Sequence, residues 1–357
     1  MKVLLNHLDA PGIFGMKRYT VELAEALKRR GIDVRLRPSG PREIVVVGRK
    51  VGGYITRALR NFVPVGRGDF DLVHATDHKS NPRPSAEVVT VHDLIPYENP
   101  ALVAGGRIDR MLEAHAARRA ILGAARLLTD TDHVRRQMLE LGAAPSQVQA
   151  VHLGVRHDVF FPDPGAAAGV MRPGMLNVLV TVRTDLRKRA DLVLAAAAAL
   201  PFVHVVQVGG DAPHPRGADL MAAAREATAR LEREGRWTRL PTVDDATLRG
   251  LLSACDVLVH PSLAEGFSLP PVEGLACGAR VLASDIAVHH EVLGDAARYT
   301  RLDVPSLRQA LEFLWDGDVR ERGWPSRAAR LAHARGFTWD RTAAATEACY
   351  ASALSSL

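Results

Sequence analysis

The segment His260–Gly278, HPSLAEGFSLPPVEGLACG, carries two carboxylates, Glu265 and Glu273, with seven residues between them. Gly266, Phe267 and Ser268 make a tight turn. Pro270 and Pro271 then open a helix, where proline suits the first turn because its missing N–H would have no intrahelical partner anyway. Backbone amides at such a helix start attract anions. A carboxylate just ahead of them, and a second two turns on, would repel phosphate but accept hydrogen bonds from hydroxyls. The chemistry implied is recognition of a phosphorylated, polyhydroxylated ligand, with one carboxylate on a sugar and the other on a ribose. The plain alternative is a capped helix with Glu273 in solvent.

Three further stretches have chemical potential. Arg183 and Lys188, five residues apart beyond a strand end, have the charge and reach to clamp a diphosphate, although surface basic residues at this spacing are common. In Asp9–Arg18, DAPGIFGMKR, Gly12 and Gly15 let backbone approach a ligand. The dinucleotide fingerprint G-x-G-x-x-G lacks its middle glycine here, which disfavours an NAD enzyme and leaves a plain strand–helix turn as the alternative. His92 follows Val88–Val91 and precedes Asp93. It suits hydrogen bonding to a substrate hydroxyl, against the alternative of a buried structural histidine.

Other features carry less. Asp130-Thr131-Asp132 has the D-x-D spacing of metal-dependent sugar transferases, but it lies between a strand and a helix, where helix capping is the natural role. His289-His290-Glu291 does not place three ligands on one helix face. No metal site and no resident cofactor is expected. A G-x-S-x-G elbow and a P-loop are both missing.

The elements that must position these residues alternate short β-branched runs with amphipathic segments, the pattern of βα units and parallel sheets. Strands are expected at Val3–Leu5, Val34–Leu36, Leu72–His74, Val88–Val91, Leu127–Leu128 and Val148–Val151, with Ile44–Val47 as a further candidate. Helices are expected over Lys17–Arg30, Arg107–Leu122 and His133–Leu141. After the loop Pro162-Asp163-Pro164-Gly165 the alternation restarts, with strands at Val178–Val182, Val203–Val208, Val257–His260, Val281–Ser284 and Ala297–Tyr299. Helices at Ala190–Leu200, Ala218–Glu234, Ala246–Ala254 and Pro271–Cys277 fall among them, and a helical tail follows. The architecture expected is α/β: an N-terminal Rossmann-like domain over 1–165, a C-terminal one over 166–336, and a last helix, 337–357, returning to the first. Ligands of open α/β sheets bind beyond the carboxyl ends of the strands, and Gly12, Gly15, His92, Arg183, Gly209 and Glu265 all fall there. Two such edges face to face would make a cleft.

Composition narrows the class. Of the 357 residues, 47% are hydrophobic and 24% charged, as in a folded globular chain. The three cysteines share no C-x-x-C spacing, which points to a reducing compartment. Aromatics at 5% argue against a base-stacking nucleic-acid platform. No apolar run reaches the roughly 18 residues of a membrane span, and the start of the chain is a buried strand in character rather than a signal peptide. The expected location is cytoplasmic. The whole net charge of +6 sits in residues 1–170, with 24 Lys+Arg against 18 Asp+Glu, while residues 171–357 balance at 22 each. Solvated helix faces explain such an excess, and so does attraction to an acidic partner or an anionic membrane.

With these motifs together, the chain resembles the retaining GT-B glycosyltransferases of family four. EGFSLPPVEGLACG, with Glu265 and Glu273, is that family's most specific signature. VHLGVRHDVF (Val151–Phe160), VRTDLRKR (Val182–Arg189), Thr242–Ser262, Val281–Tyr299 and FTWDRTAAAT (Phe337–Thr346) extend the resemblance over nearly the whole chain. It departs from the family at Gly12-x-x-Gly15, where many members have adjacent glycines, at Asp130-Thr131-Asp132, where the family is often Ser-rich, and at His290, where a proline commonly precedes the glutamate.

The resemblance implies a GT-B fold, two Rossmann-like domains facing across a cleft, and transfer of a hexose from a nucleoside-diphosphate sugar to an acceptor hydroxyl with retention and without metal. Carried over by position, Arg183 and Lys188 would hold the diphosphate and Glu273 the ribose. Glu265 would sit by the hydroxyls of the transferred sugar, with His92 near its far edge. The amides of Gly266, Phe267, Ser268 and Leu269 would serve phosphate and sugar, and Gly12, Gly15 and Gly209 would line the site. HDLIPY (His92–Tyr97) resembles mannosyltransferases of the family, which places GDP-mannose ahead of UDP-glucose as donor. The expected partners are that donor, a sugar or lipid-linked acceptor, and peripherally an anionic membrane, with no nucleic acid. A sugar-nucleotide epimerase or hydrolase of the same fold, and a non-catalytic sugar-nucleotide binder, remain as alternatives.

Overall fold

A computed structural model describes residues 1–8, 14–39, 45–46, 49–50, 68–81, 85–102, 107–167, 169–210, 217–316 and 323–356. The chain forms two compact units, Met1–Gly154 with Thr338–Leu357, and Val155–Phe337.

Among the described residues, the first unit holds six parallel strands: β1 (Lys2–Leu8), β2 (Asp33–Ser39), β3 (Leu72–Ala75), β4 (Val88–Val91), β5 (Arg126–Thr129) and β6 (Val148–Ala150). They lie in the order β2-β1-β3-β4-β5-β6. Its longer helices are α1 (Phe14–Arg29), α3 (Arg107–Gly123) and α4 (Asp132–Glu140), with a single turn, α2 (Ile95–Glu98), after β4. Of the strand expected at Ile44–Val47, Ile44 and Val47 lie outside the described residues; Val45–Val46 pairs antiparallel with Arg49–Lys50 and, among the described residues, is not part of the parallel sheet.

The second unit repeats the scheme with β7 (Leu176–Val180), β8 (Val203–Val208), β9 (Trp237–Leu240), β10 (Val257–His260), β11 (Val281–Ser284) and β12 (Arg298–Thr300), ordered β9-β8-β7-β10-β11-β12. Its helices are α5 (Ala190–Ala198), α6 (Ala218–Arg233), α7 (Asp245–Ala254), α8 (Leu269–Ala276), α9 (Ala287–Leu293), α10 (Val304–Trp315) and α11 (Arg327–Ala334). Central strands such as VVTV (β4) and VLVH (β10) are buried on both faces, which is why they read as unbroken apolar runs rather than alternating ones. β9, WTRL, is a half-buried edge strand without such a run, and it carries no comparable signal in the sequence.

The division of the chain falls at Gly154/Val155, not in the loop Pro162–Gly165. That loop belongs to the second unit because Asp163 is tied into it: its N–H donates to Ser253 Oγ at 2.9 Å, and its carboxylate accepts from Arg249 Nη2 at 2.9 Å.

The last helix, α12 (Trp339–Leu354), is part of the first unit. Thr338 caps it, accepting from Arg341 N. His74, buried on β3, is hydrogen-bonded through Nδ1 to Tyr350 Oη at 2.7 Å and through Nε2 to Thr90 Oγ1 at 2.8 Å. Burial drives the His74 pKa down to about 3, so the ring is neutral. The end of α1 is fastened to the same helix by Arg29 to Asp340 at 2.8 Å and Arg30 to Glu347 at 2.6 Å.

Gly154 lies under the start of α12. A β-carbon there would stand 2.2 Å from Trp339 N and 2.6 Å from Thr338 C, both backbone atoms with no rotamer by which to yield. Gly154→Ala is therefore expected to destabilise the protein by about 2 kcal/mol or more, the scale of overpacking that backbone must absorb. Chemical denaturation followed by the fluorescence of Trp339 and the other tryptophans checks this; a midpoint equal to wild type would mean that α12 is not seated on Gly154.

Candidate active site

In the second unit the strand order reverses between β7 and β10. The chain leaves these neighbouring strands to opposite sides: α5, after β7, packs on α6 and α10, whereas α8, after β10, packs on α7 and α11. The loops after β7 and β10 thus diverge from a shared edge, the position where open α/β sheets take ligands. One carries Arg183–Arg189 and the other Pro261–Ser268.

The first loop is shaped by Asp185, whose Oδ1 accepts from the N–H of Arg187 at 3.0 Å and of Lys188 at 2.7 Å. The second is pinned to it by backbone, with Leu263 N–H donating to Arg187 O at 2.8 Å. The Arg187 side chain crosses the same way, donating to Ala264 O at 2.9 Å and to Glu265 Oε2 at 3.0 Å. The Lys188 ammonium pairs with Glu265 Oε1. His260, fully buried at the end of β10, has its Nε2 at 3.5 Å from the same oxygen.

Burial alone would raise the Glu265 pKa. Lys188 and Arg187 outweigh it and hold the carboxylate well below its ordinary range. Burial lowers Lys188, against the pull of Glu265, and likewise keeps His260 neutral. The result is an ionised carboxylate, 8% exposed, between two cations.

The spacing in the sequence pairs Lys188 with Arg183 and does not single out Arg187 or His260 as site residues. In the structure Lys188 and Glu265 come together, and Arg187 and His260 complete the cluster. The Arg183 side chain is 55% exposed and stands beside Asp185, Nη2 to Oδ2 at 3.7 Å. Gly209, just past β8, has φ +127, and a β-carbon would meet Val182 C and O at 3.4 Å and Arg183 N at 3.5 Å. It lets β8 end against the Arg183 backbone. The signal for Arg187 lies in the Arg187-Lys188-Arg189 run, but only the tertiary fold selects which two of the three turn inward; Arg189 pairs with Asp191 instead, at 3.0 Å.

Beyond Glu265, Gly266 and Phe267 are buried, and Phe267 meets Phe337 edge to face at 5.9 Å between ring centroids. Ser268 takes a left-handed conformation, φ 77, ψ 73, costing roughly 1–2 kcal/mol for a residue with a β-carbon. Leu269 starts α8, on which Glu273 is 4% exposed; a solvent-facing Glu273 is thereby excluded.

Gly12 lies outside the described residues. Gly15 is in the first turn of α1, exposed, with open space where a β-carbon would be. His92 is engaged at both ring nitrogens: Nδ1 is 2.8 Å from Asp130 Oδ2, and Nε2 is 2.9 Å from Thr76 O. A ring between a carboxylate and a carbonyl donates from both nitrogens, so it is the imidazolium. Burial lowers its pKa, but Asp130 raises it more, to about 9. The ring expected to offer a nitrogen to a substrate hydroxyl has both nitrogens committed. Asp130 is likewise not a helix cap: that role falls to Thr131, which accepts from Val134 N, and Asp132 is in the first turn of α4.

The fold matches solved glycosyltransferase structures end to end. Sucrose-phosphate synthase from Thermosynechococcus elongatus superposes with a TM-score of 0.75 at 18% identity, covering 100% of both chains. The Anabaena protein HepE, in complex with UDP and glucose, gives 0.73 at 18% identity, covering 98% of this chain and 99% of that one. Two parallel Rossmann-like units and these neighbours define the GT-B class. Residues 177–316 match the family described as glycosyl transferases group 1, and residues 14–154 the glycosyl transferase 4-like domain. A D-inositol 3-phosphate glycosyltransferase of Mycolicibacterium paratuberculosis is 30% identical over 389 residues, covering 95% of this chain and 86% of that protein. The chain belongs to the group 1 glycosyltransferases.

Glu265→Gln leaves Lys188 and Arg187 facing an uncharged amide in a buried site. Removing one member of a buried ion pair costs about 3–5 kcal/mol, and a loss of about 3 kcal/mol is expected in urea denaturation near neutral pH. An unchanged midpoint would show that the cluster is solvated.

Proposed function

We propose that the protein transfers a hexose from a nucleoside-diphosphate sugar, of the GDP-mannose or UDP-glucose type, to an acceptor hydroxyl with retention of configuration and without a metal, in glycan or glycolipid synthesis. The observation that carries this reading is the Arg187–Glu265–Lys188 cluster at the β7/β10 reversal, with Arg183 exposed beside it. Arg183 and Lys188 neutralise the leaving diphosphate, aided by the amides at the start of α8. Glu273 binds the ribose. Glu265, held ionised, accepts hydrogen bonds from the hydroxyls of the transferred sugar. Stabilising the departing diphosphate and an oxocarbenium-like transition state supplies the catalysis, and a leaving-phosphate oxygen takes the proton of the acceptor hydroxyl. The neighbour crystallised with UDP and glucose supports the donor class. The relative named for inositol 3-phosphate supports an anionic acceptor, as does the location of the whole +6 in the first unit.

Radiolabelled GDP-mannose and UDP-glucose, each with and without acceptor, test the assignment. Transfer that requires an acceptor and survives EDTA is expected. Sugar release or epimerisation without acceptor would favour a hydrolase or epimerase, and loss with EDTA restored by manganese would overturn metal independence. Arg183→Ala and Lys188→Ala should each lower turnover by about 10²–10³; wild-type rates in both would misplace the diphosphate.

Peripheral contact with an anionic membrane is a second reading, carried by α3 rather than α1. Lys28 pairs with Glu25 at 2.9 Å, and Arg29 and Arg30 are held by α12, so the end of α1 is largely neutralised within the chain. On α3, Met111 and Leu122 are 63% and 71% exposed, and His115 and Arg118 lie exposed on the same helical face. No described helix is long and apolar enough to cross a membrane. Co-sedimentation with vesicles containing phosphatidylglycerol is expected to fall with salt and with Leu122→Glu. Equal recovery with neutral vesicles at low salt would remove this reading.

A further inference from the structure

The loop that carries Glu265 is braced from beneath by one buried imidazole that the proposed chemistry does not use. His289, on α9, is fully buried. Its Nδ1 lies 2.9 Å from the Ser284 carbonyl oxygen and 3.1 Å from Ser284 Oγ; its Nε2 lies 3.2 Å from Ser268 Oγ. A carbonyl only accepts, so the proton is on Nδ1, and Nε2 is the acceptor for the Ser268 hydroxyl. Ser284 in turn donates to the Ser262 carbonyl and accepts from the Ser262 N–H at 3.2 Å. Every donor in this chain has an acceptor and the sense is fixed: Ser268 to His289, His289 to Ser284, Ser284 to Ser262. The residues at its two ends, Ser262 and Ser268, bracket Glu265. The His289 ring also meets the His260 ring edge to face at 5.4 Å, and His260 is the neutral histidine beside Glu265.

Ser268 is where such a brace is needed. It is one of two non-glycine residues in the left-handed region among the described residues, and a β-carbon there favours escape to an ordinary conformation. Escape would turn the start of α8 and draw Glu265 away from Lys188. We infer that His289 is a positioning residue for the transfer reaction: by accepting the Ser268 hydroxyl it holds the left-handed turn that sets Glu265 and the first amides of α8. This rests on the proposed function for its kinetic consequence, but the brace itself is a property of the fold. Burial pushes the His289 pKa down to about 4, so the acceptor nitrogen is open at neutral pH.

The need for His289 is then conditional on the residue at 268. A glycine occupies the left-handed region without penalty and needs no brace. The test is a cycle of His289→Leu, Ser268→Gly and the double variant, read by kcat and KM for whichever of GDP-mannose or UDP-glucose the wild type turns over, and by hydrogen exchange of residues 262–269. In the wild-type background His289→Leu is expected to lower kcat tenfold or more, shift KM less than threefold, and speed exchange of the loop about tenfold. In the Ser268→Gly background the same substitution should change kcat and exchange less than threefold. A buried leucine at 289 is common to both backgrounds, so a mere packing defect would cost the same in each; equal losses would overturn the inference, as would His289→Leu with wild-type kcat and exchange. If the wild type turns over neither donor, the functional proposal fails, and the exchange arm alone decides whether the brace exists.

Discussion

A carboxylate kept ionised out of water is expensive, and the arrangement of the second unit follows from keeping Glu265 in that state. Its own burial works toward neutralising it. Two cations reverse that, and each has to be delivered to a fixed place. Lys188 and Arg187 point inward because Asp185 folds their backbone into a turn. The turn meets the Glu265 loop because β7 and β10 are adjacent strands, which they are only because the sheet order reverses there. A single electrostatic requirement is thus met by the topology of six strands and by the hydrogen bonds of two loops.

Hydrogen-bond partners likewise set the charge of His92 and His289. His92 and His289 each have both ring nitrogens occupied. A carboxylate at Nδ1 makes His92 a cation, and a hydroxyl at Nε2 with a carbonyl at Nδ1 makes His289 neutral. Neighbouring atoms, not burial alone, decide the charge of each ring. His92 consequently acts in this structure as a tie between β4, β5 and the segment after β3.

How much was legible in the sequence follows from where each signal is local. Val88–Val91, Val203–Val208, Val257–His260 and Val281–Ser284 stand as strands at the ends read from the sequence, because strands buried on both faces leave unbroken apolar runs. The edge strand Trp237–Leu240 left none, and α9 is too short for a helical period to show. Glu265 and Glu273 stand out by spacing; the structure buries Glu273 on α8 and brings Glu265 to Lys188 and Arg187. Arg187 opens a run of three basic residues, and three charges in a row do not say which two the fold turns inward. His289 has no metal-ligand spacing with its neighbours, and its partners Ser268 and Ser284 are innocuous in sequence and meaningful only across a turn. The Pro- and Gly-rich loop at Pro162–Gly165 looked like a boundary by composition, but Arg249 and Ser253 claim Asp163 from far along the chain.

The membership of α12 in the first unit has a consequence for the order of events in synthesis. The ribosome emits Met1–Gly154 first, yet Tyr350, the partner of His74, is made after the whole of Val155–Phe337. Domains generally fold as they emerge. Here the earlier unit has to wait with the seat of α12 uncovered, including the buried hydroxyls and rings around Thr90, while the later unit is contiguous in sequence. The half of the protein that is translated first is the half that is finished last.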